Sequence, residues 1–174
     1  MGGRLWRGTR SGAASVVLTR RPFAPGSTGG YKTTSRIAYH LAREERRAAG
    51  ADETILVTSQ GQVLEGAVSN VFAVVDGEVA TPSLSTGILP GITREWVLLQ
   101  LVDLGARIRT SALWRSELSL ATEILLTNAV QGIVTVGTVD GRPVPERALA
   151  NTLRERYALG VAASRSAGAA HSPR

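Results

Sequence analysis

Hydrophobic positions along this chain follow two rhythms. Short runs rich in β-branched residues predict strands at residues 15–19, 54–58, 63–65, 71–75, 78–80, 106–110, 123–127 and 133–139. Asp76-Gly77 and Asp140-Gly141 lie between such runs and predict tight hairpin turns. Helical spacing predicts three helices. The first covers residues 36–49, capped by Thr34 or Ser35, with Ile37, Leu41 and Ala48 inward and Gly50 as its stop. The second covers residues 94–104, with Val97, Leu98, Leu101 and Val102 inward and Gly105 after it, and the third covers residues 146–157. A short helical turn is expected at residues 116–120. The runs between 54 and 80 read as a meander, so the expected class is α+β, with a mixed, mostly antiparallel sheet and helices packed outside.

The flanks carry no such rhythm. Residues 1–12 are rich in Gly and Arg and read as a flexible lead-in, residues 13–158 as one domain, and residues 159–174 as a disordered tail. No apolar run reaches the roughly 18 residues that cross a bilayer, and no membrane partner is expected. With no cysteine in 174 residues there is no disulfide, thiolate metal site or cysteine nucleophile, which fits a reducing, cytoplasmic setting. His40 and His171 are far apart and read as non-ligands, so no metal is expected. A net charge of +6 raises an arginine-rich RNA-binding module as the alternative of another class. The arginines are scattered from Arg4 to Arg174 without interleaved aromatics, and nucleic acid is therefore not the expected partner.

One basic residue stands apart. Lys32 is the only lysine in the chain, and lysine, unlike arginine, can lose its proton and attack a carbonyl to form an imine. It lies where a glycine-rich loop meets a helix start. Glu65 ends a strand, where a half-buried carboxylate needs a partner. Gly91-Ile92-Thr93 opens a helix, where free backbone N–H groups and a hydroxyl suit a phosphate. Amine, acid and anion seat together describe pyridoxal phosphate: the lysine takes the aldehyde, the carboxylate pairs with the protonated ring nitrogen, and the helix start takes the phosphate.

The segments Lys32-Thr33-Thr34, Leu64-Glu65-Gly66-Ala67-Val68-Ser69-Asn70-Val71-Phe72, Thr81-Pro82, Gly87-Ile88-Leu89-Pro90-Gly91-Ile92-Thr93-Arg94 and Thr127-Asn128-Ala129 through Ile133 occur in the order of a known family. The chain resembles the class IV aminotransferases, the fold-type IV pyridoxal-phosphate enzymes, from residue 31 to about residue 142. The resemblance implies a pseudo-barrel sheet, pyridoxal phosphate as cofactor, Lys32 as the Schiff-base lysine and Glu65 as partner of the ring nitrogen. It further implies cofactor binding by Arg36, Ser69, Asn70, Gly91, Ile92, Thr93, Asn128 and Ala129, a small amino-acid-like substrate, and a homodimer.

Arg36, four residues after the lysine, and Thr127-Asn128-Ala129 look most like 4-amino-4-deoxychorismate lyase, which eliminates pyruvate to give 4-aminobenzoate in folate biosynthesis. Branched-chain or D-amino-acid aminotransferase is the alternative. The branched-chain enzymes look to carry a tyrosine where this chain has Ile37, and Ser35 departs from an asparagine often seen in the lyase. Family members resemble a two-domain protein whose smaller domain precedes the lysine. This chain then corresponds to the large domain, with residues 13–30 as linker and first strand, and is expected to be weak or inactive alone.

Overall fold

The computed structural model describes residues 12–24, 30–34 and 36–169, with side chains to residue 162. The expected flexible lead-in lies outside the described residues up to residue 11. In chain order the elements are β1 (Ala14–Leu18), α1 (Ile37–Ala48), β2 (Glu53–Val57), β3 (Gln62–Gly66), β4 (Asn70–Val75) and β5 (Glu78–Pro82). A 3-10 turn (Leu84–Thr86), α2 (Ile92–Asp103), β6 (Ile108–Ser111), β7 (Leu113–Trp114) and α3 (Arg115–Leu120) follow. The chain continues through β8 (Glu123–Asn128), β9 (Gly132–Val139), β10 (Arg142–Pro143) and α4 (Ala148–Ala169).

The strands form one mixed sheet in the order β6-β5-β4-β8-β9-β1-β2-β3-β7, with β10 beside β9. It closes on itself into a nearly complete pseudo-barrel. Most pairings are antiparallel, and the exceptions are informative. β1 runs parallel to β2 on one side and to β9 on the other, and β5 runs parallel to β6. The β1–β2 and β5–β6 pairs are each joined by one helix, α1 or α2, because a parallel connection must cross back over the sheet face. The loops that follow β1 and β5 therefore emerge at strand carboxyl ends, where sheets of this kind place ligands.

Strand alternation sorts the apolar side chains into three cores. Val16, Leu18, Ile55, Val57, Val71, Ala73, Ile124 and Leu126 fill the barrel. Their neighbours face outward: Phe72, Leu125 and Ile133 pack under α2 and α4 with Val97, Leu101 and Leu153. Leu56 and Leu64 pack with Ala42 of α1. Because both faces of the central strands are covered, runs such as Val71 to Val75 are almost continuously apolar.

Several expectations are corrected. Residues 54–80 are not a meander. β2 pairs β3 and β4 pairs β5, but β3 and β4 are not ladder partners, since β4 takes β8 instead. The chain turns sharply between them, with Gly66 N–H donating to Ser69 O at 2.6 Å. A Cβ at Gly66 would lie 2.1 Å from Ser69 Oγ. The inward face of α1 is also different. Ile37 is 70% exposed and Leu41 and Ala48 face solvent, while Tyr39, Ala42, Arg43 and Arg46 turn inward. That face packs Tyr39 and Ala42 against Leu56 and Leu64, and its Arg36 and Arg43 border a cavity that also holds Glu65. The N-cap is Arg36, without a side-chain cap, and Ser35 lies outside the described residues. On α2, Val102 is exposed where an inward position was expected. The last helix runs to Ala169, past residue 159 where the tail was expected to begin. Among the described residues no helix is long and apolar enough to cross a membrane.

Candidate active site

Four segments distant in sequence meet at one cavity of about 600 Å³. They are the approach to α1, the β3–β4 link, the start of α2 and the β8–β9 turn. All ten residues singled out from the sequence line it: Lys32, Arg36, Glu65, Ser69, Asn70, Gly91, Ile92, Thr93, Asn128 and Ala129. Among the described residues its charged lining consists of three cations, Lys32, Arg36 and Arg43, and one carboxylate, Glu65.

Lys32 is exposed, two residues after Gly30. Gly30 adopts φ +84°, in the left-handed region that disfavours a side chain, and this reversal brings the chain to the cavity ahead of α1. Glu65, at the end of β3, is only 5% exposed. One of its oxygens, Oε1, accepts the Tyr39 hydroxyl from α1 at 2.7 Å. Its other oxygen accepts Leu89 N–H at 3.0 Å and, more weakly, Asn70 Nδ2 at 3.4 Å. The carboxylate is thus held between α1 on one side and the segment entering α2 on the other. Burial pushes its pKa upward, against the hydrogen bonds from Tyr39 and Leu89 and the attraction of Arg36. Tyr39 is itself raised, first by burial and then by donating to Glu65. The Arg36 guanidinium lies 4.0 Å over the Tyr39 ring, a cation–π contact that fixes both.

The start of α2 is built for close approach. Gly91 is its N-cap, and no side chain caps the first turn. Its N-terminal N–H groups therefore keep their donor capacity and the positive end of the helix dipole. Asn70 Nδ2 donates to Leu89 O at 2.8 Å, tying the segment to β4. A Cβ at Gly91 would meet Asn70 Oδ1 at 2.1 Å. Buried Arg94 anchors the same turn to the end of β5 through Pro82 O at 2.9 Å. Desolvation lowers the Arg94 pKa.

Opposite Asn70 in the β4–β8 ladder stands Thr127. It is 1% exposed and lines the cavity, and its hydroxyl has no hydrogen-bond partner among the described residues. A buried hydroxyl without a partner beside an uncapped helix start suits the oxygens of a bound anion. The residues present therefore fit a phosphate-bearing cofactor with an aldehyde for Lys32 and a basic ring nitrogen for Glu65.

Besides Glu65, three of the sequence-predicted residues have side chains already committed within the protein. Ser69 Oγ turns away to Glu53 Oε2 at 3.0 Å. Asn70 is held as described, and Asn128 accepts Val130 and Gln131 N–H and donates to Gln131 Oε1 at 2.8 Å. These side chains shape the walls. The sequence reading missed Tyr39, Arg43 and Glu53, and did not count Thr127 among the site residues. Arg36, Tyr39 and Arg43 share one helical face by their spacing, a signal hidden by the assumption that Ile37 and Leu41 pointed inward. Glu53 is 4% exposed and has its pKa raised by burial. It accepts Val68 N–H and the Ser69 hydroxyl behind the β3–β4 link.

Residues 7–139 match the family described as Amino-transferase class IV. The chain is 42% identical over 105 residues to a probable branched-chain-amino-acid aminotransferase of Thermotoga maritima, covering 60% of this chain and 38% of that protein. Among solved structures, a putative branched-chain amino acid aminotransferase of the same organism superimposes with a TM-score of 0.76 at 34% identity, covering 82% of this chain and 53% of the other. A branched-chain amino acid aminotransferase solved with pyridoxamine 5'-phosphate gives a TM-score of 0.77 at 30% identity, covering 83% of this chain and 50% of the other. The branched-chain aminotransferase of the archaeon Thermoproteus uzoniensis with norvaline gives a TM-score of 0.78 at 30% identity over the same shares. The chain thus spans about half the length of these structures and less of the curated relative.

Proposed function

The chain belongs to the class IV aminotransferase family, whose cofactor is pyridoxal phosphate, and from that premise we propose that its cavity is the cofactor and substrate site of an aminotransferase acting on small amino acids. The observation that carries this reading is the convergence of Lys32, Glu65 and the uncapped start of α2 on one cavity. When bound, the cofactor supplies an electron sink for the pair released at the substrate α-carbon. Lys32 provides the amine that tethers the aldehyde and afterwards moves the α proton. Glu65 holds the ring nitrogen protonated, with Tyr39 and Leu89 N–H keeping the buried carboxylate in place. The Ile92 and Thr93 N–H groups, with the Thr127 hydroxyl, receive the phosphate.

Transamination is favoured over the pyruvate-eliminating lyase that the sequence reading placed first, because the similar proteins are named branched-chain aminotransferases. Arg36 in the cavity wall, stacked on Tyr39, keeps the lyase as a second reading. Homodimeric assembly and a cytoplasmic location belong to the same proposal. Borohydride reduction of the loaded chain followed by peptide mapping tests the site. The pyridoxyl mass is expected on the Lys32 peptide, and its appearance on the N-terminus alone, or nowhere, refutes the assignment. Turnover with amino acids and 2-oxoglutarate, set against turnover with aminodeoxychorismate, separates transaminase from lyase.

A further inference from the structure

Among the described residues four ionisable side chains are buried: Glu53, Glu65, Glu123 and Arg94. The three carboxylates are all held. Glu53 accepts Thr54 N–H, Val68 N–H and the Ser69 hydroxyl, and Glu65 accepts Tyr39, Leu89 and Asn70. Glu123 accepts Leu149 and Ala150 N–H. Arg94 is the exception. It is 5% exposed, its guanidinium donates one hydrogen bond, from Nη2 to Pro82 O at 2.9 Å, and its buried Nε has no partner among the described residues. No acid among them answers its charge. Glu95, next on the helix, is exposed, while Glu78 and Glu117 are taken by Arg109 and Asp103 by Arg156. Burial lowers the Arg94 pKa, with no opposing contribution from a carboxylate. A buried cation resting on one neutral carbonyl is costly, and a nearby anion reduces that cost.

The place of Arg94 in the fold indicates where such an anion belongs. It is the third residue of α2, directly after Ile92 and Thr93, and helical side chains leave the backbone leaning towards the helix N-terminus. A Cβ on Gly91 would lie 3.6 Å from Arg94 Cβ. Gly91, Ile92 and Thr93 line the cavity, whereas Arg94 stands behind that turn, against the end of β5. A phosphate received by the first-turn N–H groups therefore sits within about one helical turn, about 5 Å along the axis, of the unanswered charge. Thr93 and Arg94 are both buried, so little water screens the two from each other.

We propose that Arg94 is a positioning residue for the cofactor phosphate: from behind the first turn of α2, its charge holds the phosphate dianion in its seat without touching it. The proposal deepens the functional reading given above and rests on it. That reading gives the seat uncharged donors, the helix N–H groups and the Thr127 hydroxyl, and Arg94 adds a charge to them.

The test measures binding of three probes to the full chain: pyridoxal phosphate, inorganic phosphate, and pyridoxal, which lacks the phosphate. Absorbance follows the two aldehydes, and competition with pyridoxal phosphate reports inorganic phosphate. Wild type is compared with Arg94→Lys, Arg94→Gln and Arg94→Met. Lysine keeps the charge, glutamine keeps a donor for Pro82 O without the charge, and methionine keeps neither. Arg94→Gln and Arg94→Met are both expected to weaken pyridoxal phosphate and inorganic phosphate about tenfold or more, and pyridoxal less than about twofold. Arg94→Lys should stay close to wild type for all three. If Arg94→Gln binds like Arg94→Lys, the proposal is overturned, because the hydrogen bond to Pro82 O and not the charge then carries the effect. Equal losses for pyridoxal and pyridoxal phosphate overturn it as well, and so do neutral variants that bind both phosphates like wild type. Circular dichroism checks folding, and should Arg94→Met not fold, the comparison of Arg94→Lys with Arg94→Gln decides. A wild-type chain that takes up neither pyridoxal phosphate nor inorganic phosphate refutes instead the functional reading on which the proposal rests.

Discussion

Gly91→Ala is the substitution whose effect the geometry specifies most closely. At φ −73° and ψ 132°, Gly91 adopts a conformation open to any residue, so the backbone itself offers no objection to alanine. The new methyl would instead sit 2.1 Å from Asn70 Oδ1 and 3.3 Å from Asn70 Cγ. Asn70 is 4% exposed and cannot swing into solvent. To make room it must give up Leu89 O at 2.8 Å and its weaker contact with Glu65. Overpacking of this kind costs about 1–3 kcal/mol, and the lost hydrogen bond adds about 1 kcal/mol. For a chain of this size a total of about 2–4 kcal/mol lowers Tm by roughly 4–16 °C. The same displacement loosens the segment entering α2, so cofactor affinity should fall together with stability. Denaturant titration and thermal melts of Gly91→Ala, Asn70→Ala and the double variant form the assay. Because removing Asn70 makes space for the methyl, the double variant should lose less than the two singles combined, by about 1–3 kcal/mol. Additive losses, or a Gly91→Ala protein within about 0.5 kcal/mol of wild type, would refute the clash.

Thr127→Val should move two readouts in opposite directions: unfolding stability stays level or rises, because a buried hydroxyl without a protein partner is removed, while pyridoxal phosphate binds about tenfold more weakly. A parallel fall in both quantities would show that the hydroxyl serves the fold rather than the ligand. Glu53→Gln bears on pH. Burial raises the Glu53 pKa in the folded chain above its ordinary 4.5, so the folded state holds this proton more tightly than the unfolded state. The contribution of Glu53 to stability therefore falls as pH rises from about 4.5 through the raised value. Wild type should gain stability relative to Glu53→Gln as pH is lowered from 7 towards 4.5, read by denaturant midpoints at both ends. A difference between the two proteins that does not change with pH would contradict it.

How far the site could be read from the sequence depended on the kind of signal each residue left. Lys32 stood out because it is the only lysine, and Gly91-Ile92-Thr93 because glycine before a helical repeat marks an uncapped start. Glu65 stood out because a carboxylate within an apolar strand needs a reason. Tyr39 and Arg43 left no such mark. They sit in a helix whose apolar residues suggested another inward face, and only the packing of Tyr39 and Ala42 against Leu56 and Leu64, with Arg43 at the cavity, shows why Ile37 and Leu41 turn outward. Thr127 lay within a recognised motif, but its hydroxyl becomes informative only when burial shows it without a partner.

The same division runs through the fold. Local chemistry determined most element positions and several of their ends. Asp76 and Gly77 turn at φ 50° and 71°, and Gly50 and Gly105 follow α1 and α2 at φ 64° and 67°, as residues able to adopt left-handed backbone should. Which strands became neighbours was not a local matter. A meander joining β3 to β4 satisfies the same alternation as the observed sheet. What separates β3 from β4 is the tight turn at Gly66 and the ladder from Val71 to Leu126 and from Phe72 to Leu125, contacts between residues more than fifty positions apart. Periodicity records which face of a strand is apolar, but the pairing energy resides in partners that a linear pattern does not name. The sequence by itself determined the chemistry at hand: one amine, one carboxylate and one helix start. Only the closure of the sheet, with α1 and α2 crossing over it between parallel strands, brought those groups to a single cavity and left Arg43 facing into it.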